Sequence, residues 1–313
     1  MIARITRALL VVQITLIVGL YLLLRDFFHV YSIPLAWILS IGAVVVARFM
    51  LIVNTFSIAY LNRTPLPADQ QISWKMAVRL LLQEFWATML VTSWHMPFRS
   101  FSGDIAPYAN GFPVLLIHGY GCNSGYWHSM RQRLVQANIS YKAVNLEPLL
   151  GGIDEYAASI NKAVESLCRE TGKEQIIILA HSMGGLAARA YLRHYSEHKV
   201  AKIICFGAPH HGTVLANFGI GTNSRQMQWH SDVEHGQPLD WLQNLASSEV
   251  VARRALITSI YSLHDNIVAP QLSCHLSGAK NIGLPGIGHV ALGLNASVQA
   301  LALEEIKLAS NHG

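Results

Sequence analysis

The sequence predicts an α/β domain on a mostly parallel sheet, carried behind a membrane-spanning helical hairpin, and three observations support that expectation. From about residue 107 onward, short apolar runs alternate with helix-like stretches, the pattern of strands covered on both faces by crossover helices. Residues 1–61 hold only five charged side chains. A buried strand pattern, a sharp turn centred on Ser182 and a helix pattern follow one another without a gap.

Composition narrows the function classes. Of 313 residues, 52% are hydrophobic and 13% charged, which excludes a disordered chain and a coiled coil. Twenty-three Lys and Arg against 18 Asp and Glu give +5 with no basic run, so nucleic acid is not an expected partner, whereas an anionic membrane surface is. Cys122, Cys168, Cys205 and Cys274 have neither metal-ligand nor disulfide-framework spacing; they read as free thiols and fit a reducing compartment.

Residues 1–61 are expected to form the anchor. Ala8 to Leu24 is a run of 17 residues with Gln13 and Thr15 as its only polar members, at the lower limit for crossing a bilayer. Arg4 and Arg7 would also suit a cleavable signal, but the run is long, no small-x-small site follows, and a second apolar run begins almost at once. That second run, Ile33 to Leu61, is broken only by Arg48 and Asn54. With no acidic partner nearby in sequence, Arg48 is expected to snorkel to the headgroups. Arg4 and Arg7 before the hairpin and Arg63, Lys75 and Arg79 after it put both flanks on the cytoplasmic side of the membrane, and the domain that follows with them.

Residues 62–106 join anchor to domain. The stretch 62–75, with Pro65 and Pro67, reads as a linker. Met76 to Phe98 is apolar, but 14 residues between Glu84 and Arg99 are too few to cross about 30 Å of hydrocarbon at about 1.5 Å per residue. Its apolar residues do not gather on one helical face, so it is expected to lie wedged between bilayer and the following domain, touching both.

In residues 107–313, strands are expected at Phe112–Ile117, Lys142–Leu146, Ile176–Ala180, Lys202–Phe206, Ala255–Tyr261 and Lys280–Leu284. Helices are expected at Ser124–Gln136, Tyr156–Thr171, Met183–Tyr195 and Ala296–Leu308. The chemistry concentrates at the strand ends. In Ala180-His181-Ser182-Met183-Gly184-Gly185, small residues flank a serine where a tight strand-to-helix turn would crowd anything larger. A serine nucleophile needs a base held by an acid, and Asp265 and His289 follow strands 83 and then 24 residues later. His264 is a rival base, though adjacency points it away from Asp265; Asp240 is a rival acid but follows no strand. An oxyanion needs preset donors: Met183 N–H after the nucleophile, and Tyr120 N–H in His118-Gly119-Tyr120-Gly121, with His118, Gly119 and Gly121 supporting that loop.

These segments, together with Phe206-Gly207-Ala208-Pro209-His210-His211-Gly212-Thr213, Ile260-Tyr261-Ser262 and Gly288-His289, resemble the α/β-hydrolase-fold bacterial true lipases, in particular small members with Ala in the Ser turn. The resemblance covers about residues 112–300 and stops short of residues 1–106. It implies hydrolysis of long-chain carboxylic esters, Ser182, Asp265 and His289 as triad, and Tyr120 and Met183 as oxyanion donors. No metal or other cofactor is expected. His210-His211 lacks partner ligands, and His194 and His198 lack the Glu of a zinc-protease helix, Tyr195 standing there instead. The expected function is a membrane-anchored serine hydrolase of lipid acyl esters; a thioesterase or acyltransferase on the same triad, and a non-catalytic membrane scaffold, are the alternatives. With the triad and both donors beyond Pro107, a chain beginning there is expected to keep activity on dispersed short-chain esters.

Overall fold

Alternation within the strands decides which face of the sheet each helix covers. The computed structural model describes residues 1–109, 111–195, 197–229 and 240–311. Its sheet has seven strands: β1 (Gly103–Asp104), β2 (Val114–Ile117), β3 (Tyr141–Val144), β4 (Ile176–His181), β5 (Val200–Phe206), β6 (Ile257–Ser262) and β7 (Lys280–Leu284), in the order β1-β3-β2-β4-β5-β6-β7. Every pairing is parallel except β1 with β3. The helices are α1 (Ile2–Asp26), α2 (Ile33–Leu61), α3 (Trp74–Leu90), α4 (Met96–Phe98), α5 (His128–Gln136), α6 (Tyr156–Thr171), α7 (Met183–Tyr195), α8 (Thr222–Gln226), α9 (Trp241–Ser247), α10 (Val251–Ala255) and α11 (Ala296–Asn311).

On β4, Ile176, Ile178 and Ala180 pack into a core with α6 and α7, while Ile177 and Leu179 pack into a second core with α5 and α11. Both β2 and β4 are buried throughout, which is why β2, and β4 as far as Ala180, are unbroken apolar runs. The six expected strands are present. β1 was not legible, because two exposed residues at an antiparallel edge make no hydrophobic pattern.

The two N-terminal helices form a hairpin, stacked at its far end by Tyr21 on Trp37 with ring centroids 4.3 Å apart. Both are long and apolar enough to cross a membrane. Arg48, at the middle of α2, does not snorkel. Its guanidinium donates to Gln13 Oε1 (3.0 Å) on α1 and to Ser93 Oγ (2.9 Å) and Thr92 Oγ1 (2.5 Å) beyond α3, so neutral oxygens inside the bundle satisfy it without an acidic partner.

α3 continues through a π-helical turn, Val91–His95, into α4. One face of this segment buries Leu80, Glu84, Phe85, Ala87 and Val91; the other exposes Trp74, Val78, Leu82, Trp86, Leu90, Trp94 and Phe98 at every fourth position. No single apolar face was legible because both faces are apolar. The inner one packs on the hairpin, as in Phe49 against Phe85, and on the second core, where Ala87, Val91 and Met96 join Tyr126 and Trp127. The segment thus touches hairpin and sheet domain together.

Candidate active site

β4 delivers Ser182 to the first turn of α7 with φ = 53°, an uncommon conformation for a residue with a side chain and a local store of strain. The turn is held by Ser182 N donating to Phe206 O (2.8 Å) and by Gly185 N donating to Ser182 O (2.9 Å). Close approach of the β2 end explains the small residues: a side chain at Gly184 would begin 2.6 Å from Ile117 O, and one at Gly119 would begin 2.9 Å from Ser182 Cβ. Ser182 itself is buried, at 8% exposure.

Asp265 follows β6 and His289 follows β7. Asp265 Oδ2 lies 2.8 Å from His289 Nδ1, and Asp265 Oδ1 accepts the backbone N–H groups of Ile267 (2.7 Å) and Val268 (2.8 Å), so this buried carboxylate is fully engaged. His289 N donates to Asn266 Oδ1 at 3.0 Å. Burial alone would lower the His289 pKa, but the charge and hydrogen bond of Asp265, and then the charge of Glu84, outweigh it, and the pKa stands above its ordinary value. Bound at Nδ1, the ring keeps Nε2 as the atom able to take a proton. The His181 ring, 4.6 Å from that of His289 and 4.1 Å from that of Tyr126, links the turn to the imidazole. Among the described residues no hydrogen bond joins Ser182 to His289, a contact that in hydrolytic sites often tightens only with substrate.

The loop after β2 sets Gly119 against the Ser182 turn, with Tyr120 next in line. Leu146 N donates to His118 Nε2 (3.1 Å), which leaves Nδ1 to donate to Gly119 O (2.9 Å); burial lowers the His118 pKa to about 4. Neutral and doubly bonded, His118 braces the loop. Gly121, at φ = 66°, reverses it. Met183, buried, opens α7. The Tyr120 hydroxyl donates to Ile220 O (2.7 Å) and accepts from Ile220 N (3.1 Å), tying the loop to the stretch before α8. Of the polar stretch Thr213–Asp240, residues 230–239 lie outside the described residues.

The competitors have other work. Asp240 caps α9, its side chain accepting from Gln243 N at 2.7 Å. His264 Nδ1 accepts from Gly286 N at 3.3 Å. His210 packs on Arg189, which is paired with Glu249, and His211 Nε2 lies 3.1 Å from His275 O. His194 Nε2 lies 3.2 Å from Asp154 Oδ1. Among the described residues no group of three His, Cys, Asp or Glu could hold a metal.

Sequence reasoning missed Glu84. From α3 it reaches the His289 loop, where its carboxylate oxygens accept Val290 N and Ala291 N, each at 2.9 Å. Its one sequence signal is a lone acid, with Gln83 beside it, inside an otherwise apolar stretch.

Residues 113–261 match the palmitoyl protein thioesterase family. A triacylglycerol lipase of Pseudomonas fragi is 26% identical over 114 residues, 34% of this chain and 37% of that lipase, so the match spans little more than a third of the relative's length. A mature Bacillus licheniformis lipase superposes with a TM-score of 0.56 at 15% identity, over 66% of this chain and 97% of that one. Aspergillus fumigatus lipase B superposes with a TM-score of 0.54 at 19% identity, over 87% and 70%.

Proposed function

We propose that this chain, an α/β-hydrolase-fold protein of the lipase and esterase type, is a membrane-anchored serine hydrolase of lipid acyl esters. The observation that supports it most is the Asp265–His289 pair beside the strained Ser182 turn. Ser182 Oγ attacks the ester carbonyl as His289 Nε2 takes its proton; the oxyanion is met by the N–H groups of Tyr120 and Met183; and His289 returns the proton to the departing alcohol. Water then opens the acyl-enzyme, giving its proton to His289 and its hydroxyl to the acyl carbon, and Ser182 recovers its hydrogen. A fluorophosphonate that labels Ser182 in the full chain, together with ester turnover, tests the reading; absence of both would leave a non-catalytic scaffold.

Asp265→Asn is expected to reduce kcat by roughly 10⁴, because the amide favours the wrong imidazole tautomer. Asp240→Asn keeps a good cap and is expected to leave rate and stability near wild type. The pH dependence follows from the raised His289 pKa. A protonated His289 cannot accept the Ser182 proton, so kcat/KM is expected to fall as pH drops through an ionisation above the ordinary histidine value of about 6.5. Residual activity of Asp265→Asn is expected to show that limb at lower pH, since the strongest influence raising the pKa is gone.

The palmitoyl protein thioesterase match supports a second reading, in which the acyl group arrives on sulfur. Parallel assays of oxoesters and thioesters of one acyl chain, with alcohols added as acceptors, separate ester hydrolysis, thioester hydrolysis and acyl transfer.

Two spans place both chain ends on one side of the membrane, and the flanking Arg and Lys residues favour the cytoplasm. Fused after Gly313, a reporter active only in the cytoplasm is expected to give signal. Signal solely from a reporter active outside it would refute this topology and move the substrate to outward-facing lipids.

A further inference from the structure

Glu84 is fully buried on α3, and among the described residues no Lys or Arg pairs with it. Burying an unpaired carboxyl is unfavourable unless its oxygens are satisfied, and here both are, by the N–H groups of the two residues that follow His289. Those N–H groups open the short 3-10 turn Val290–Gly293, where no carbonyl is available to accept them. Gly288 is the third part of the arrangement: a side chain there would begin 2.6 Å from Glu84 Cδ, so its absence lets the carboxyl lie against the loop. The preceding N–H, that of His289, goes to Asn266, whose Nδ2 donates to Thr55 Oγ1 on α2 at 3.0 Å. Three successive backbone donors at His289 and after it are therefore held by a side chain of the joining helix α3 or by one that is bonded to the hairpin.

We propose that Glu84 is a positioning residue for His289, supplied to the hydrolytic site by the helix that links it to the membrane hairpin. The inference rests on the hydrolytic reading above. The two oxygens fix the loop from which His289 projects. Burial pushes the Glu84 carboxyl above its usual range, against the opposing pull of the two N–H groups and of His289; in its ionised form it favours the imidazolium that forms when Ser182 gives up its proton. The titratable groups facing Glu84 are His289, Asp265 and Tyr126; those facing His289 are Asp265, Glu84 and His181, the last kept neutral by burial. Loss of the Glu84 charge should therefore make His289 easier to deprotonate, while loss of either oxygen should loosen the loop.

The test uses the full chain in detergent micelles with a dispersed short-chain ester, and an NMR titration of the His289 imidazole as a readout independent of turnover. Glu84→Gln keeps the shape but sets an NH2 against one of the two N–H donors. It is expected to lower kcat about 10- to 100-fold, the range for partners that orient a functional side chain, with little change in KM. The acid limb and the imidazole midpoint are expected to move together to lower pH. A wild-type rate, or a rate loss with an unmoved His289 titration, would overturn the proposal. If Glu84→Gln does not fold, Glu84→Asp decides: it keeps the charge but is too short for both N–H groups, so a lower rate with a nearly retained titration supports the role and an unchanged rate overturns it. Should the wild-type chain turn over no ester, the hydrolytic reading fails, and the imidazole titration still decides whether Glu84 acts on His289.

Discussion

Replacing Ser182 by Ala is expected to lower turnover by about 10⁴ to 10⁶ while the protein remains folded. The side chain lost is small, and both backbone hydrogen bonds that hold the turn, Ser182 N to Phe206 O and Gly185 N to Ser182 O, are independent of it. Alanine tolerates the φ of 53° no better than serine, so the strain stays and stability should move little. Fluorophosphonate labelling should vanish with turnover. Retention of more than about a tenth of the wild-type rate, far above the loss expected for a triad nucleophile, would remove Ser182 from its assigned role.

A chain beginning at Pro107 is expected to lose the proposed hydrolytic activity even on dispersed short-chain esters, the opposite of what the positions of the proposed triad residues suggest. Removing residues 1–106 takes away Glu84 and leaves Val290 N and Ala291 N without acceptors beside His289. It also removes Thr55 from Asn266, Thr64 from Gln271 and Leu272, and the Met96 carbonyl that accepts from Asn123 Nδ2 at 2.8 Å. Ala87, Val91 and Met96 leave the second core, uncovering Tyr126 and Trp127, both wholly buried in the full chain. Loss of well-packed large side chains costs about 2–5 kcal/mol each, and domain stabilities are about 5–15 kcal/mol, so several such losses should unfold it or leave it aggregating. Expression of this shortened chain with circular dichroism and ester assay checks it; a soluble, cooperatively unfolding product at wild-type rate would mean that α3 only covers the domain.

The sheet was legible because parallel strands buried on both faces write themselves as apolar runs, as β2 does throughout and β4 does as far as Ala180. The site was legible where geometry restricts residue size or order: Ala180 and Gly184 around Ser182, then an acid and a histidine after successive strands. Contacts between distant segments left no such trace. Arg48 finds Gln13 and Thr92 through neutral oxygens, which charge patterning does not register. Glu84 meets backbone donors 206 and 207 positions away, and any residue type except proline could supply them. In the sequence it served only to mark the end of an apolar run, and nothing local distinguishes that role from a clamp.

The π-helical turn at Val91–His95 makes this stretch sensitive to length, although half of its surface is bare. An ordinary helix advances about 100° per residue, so contacts every fourth residue drift steadily around the axis; a π turn takes up an extra residue and turns the outer row back. Within and beyond it, Trp94 and Phe98 keep the outward direction set by Trp86 and Leu90, while Met96 stays in the core and Pro97 O accepts from Arg7 Nε at 2.9 Å. Deleting a single residue here would swing everything beyond by about a quarter turn, carrying tryptophan inward and the Arg48 acceptors away. Substitutions on the bare face should therefore be tolerated where insertions and deletions are not, so that length, rather than residue type, is the constrained property of this segment.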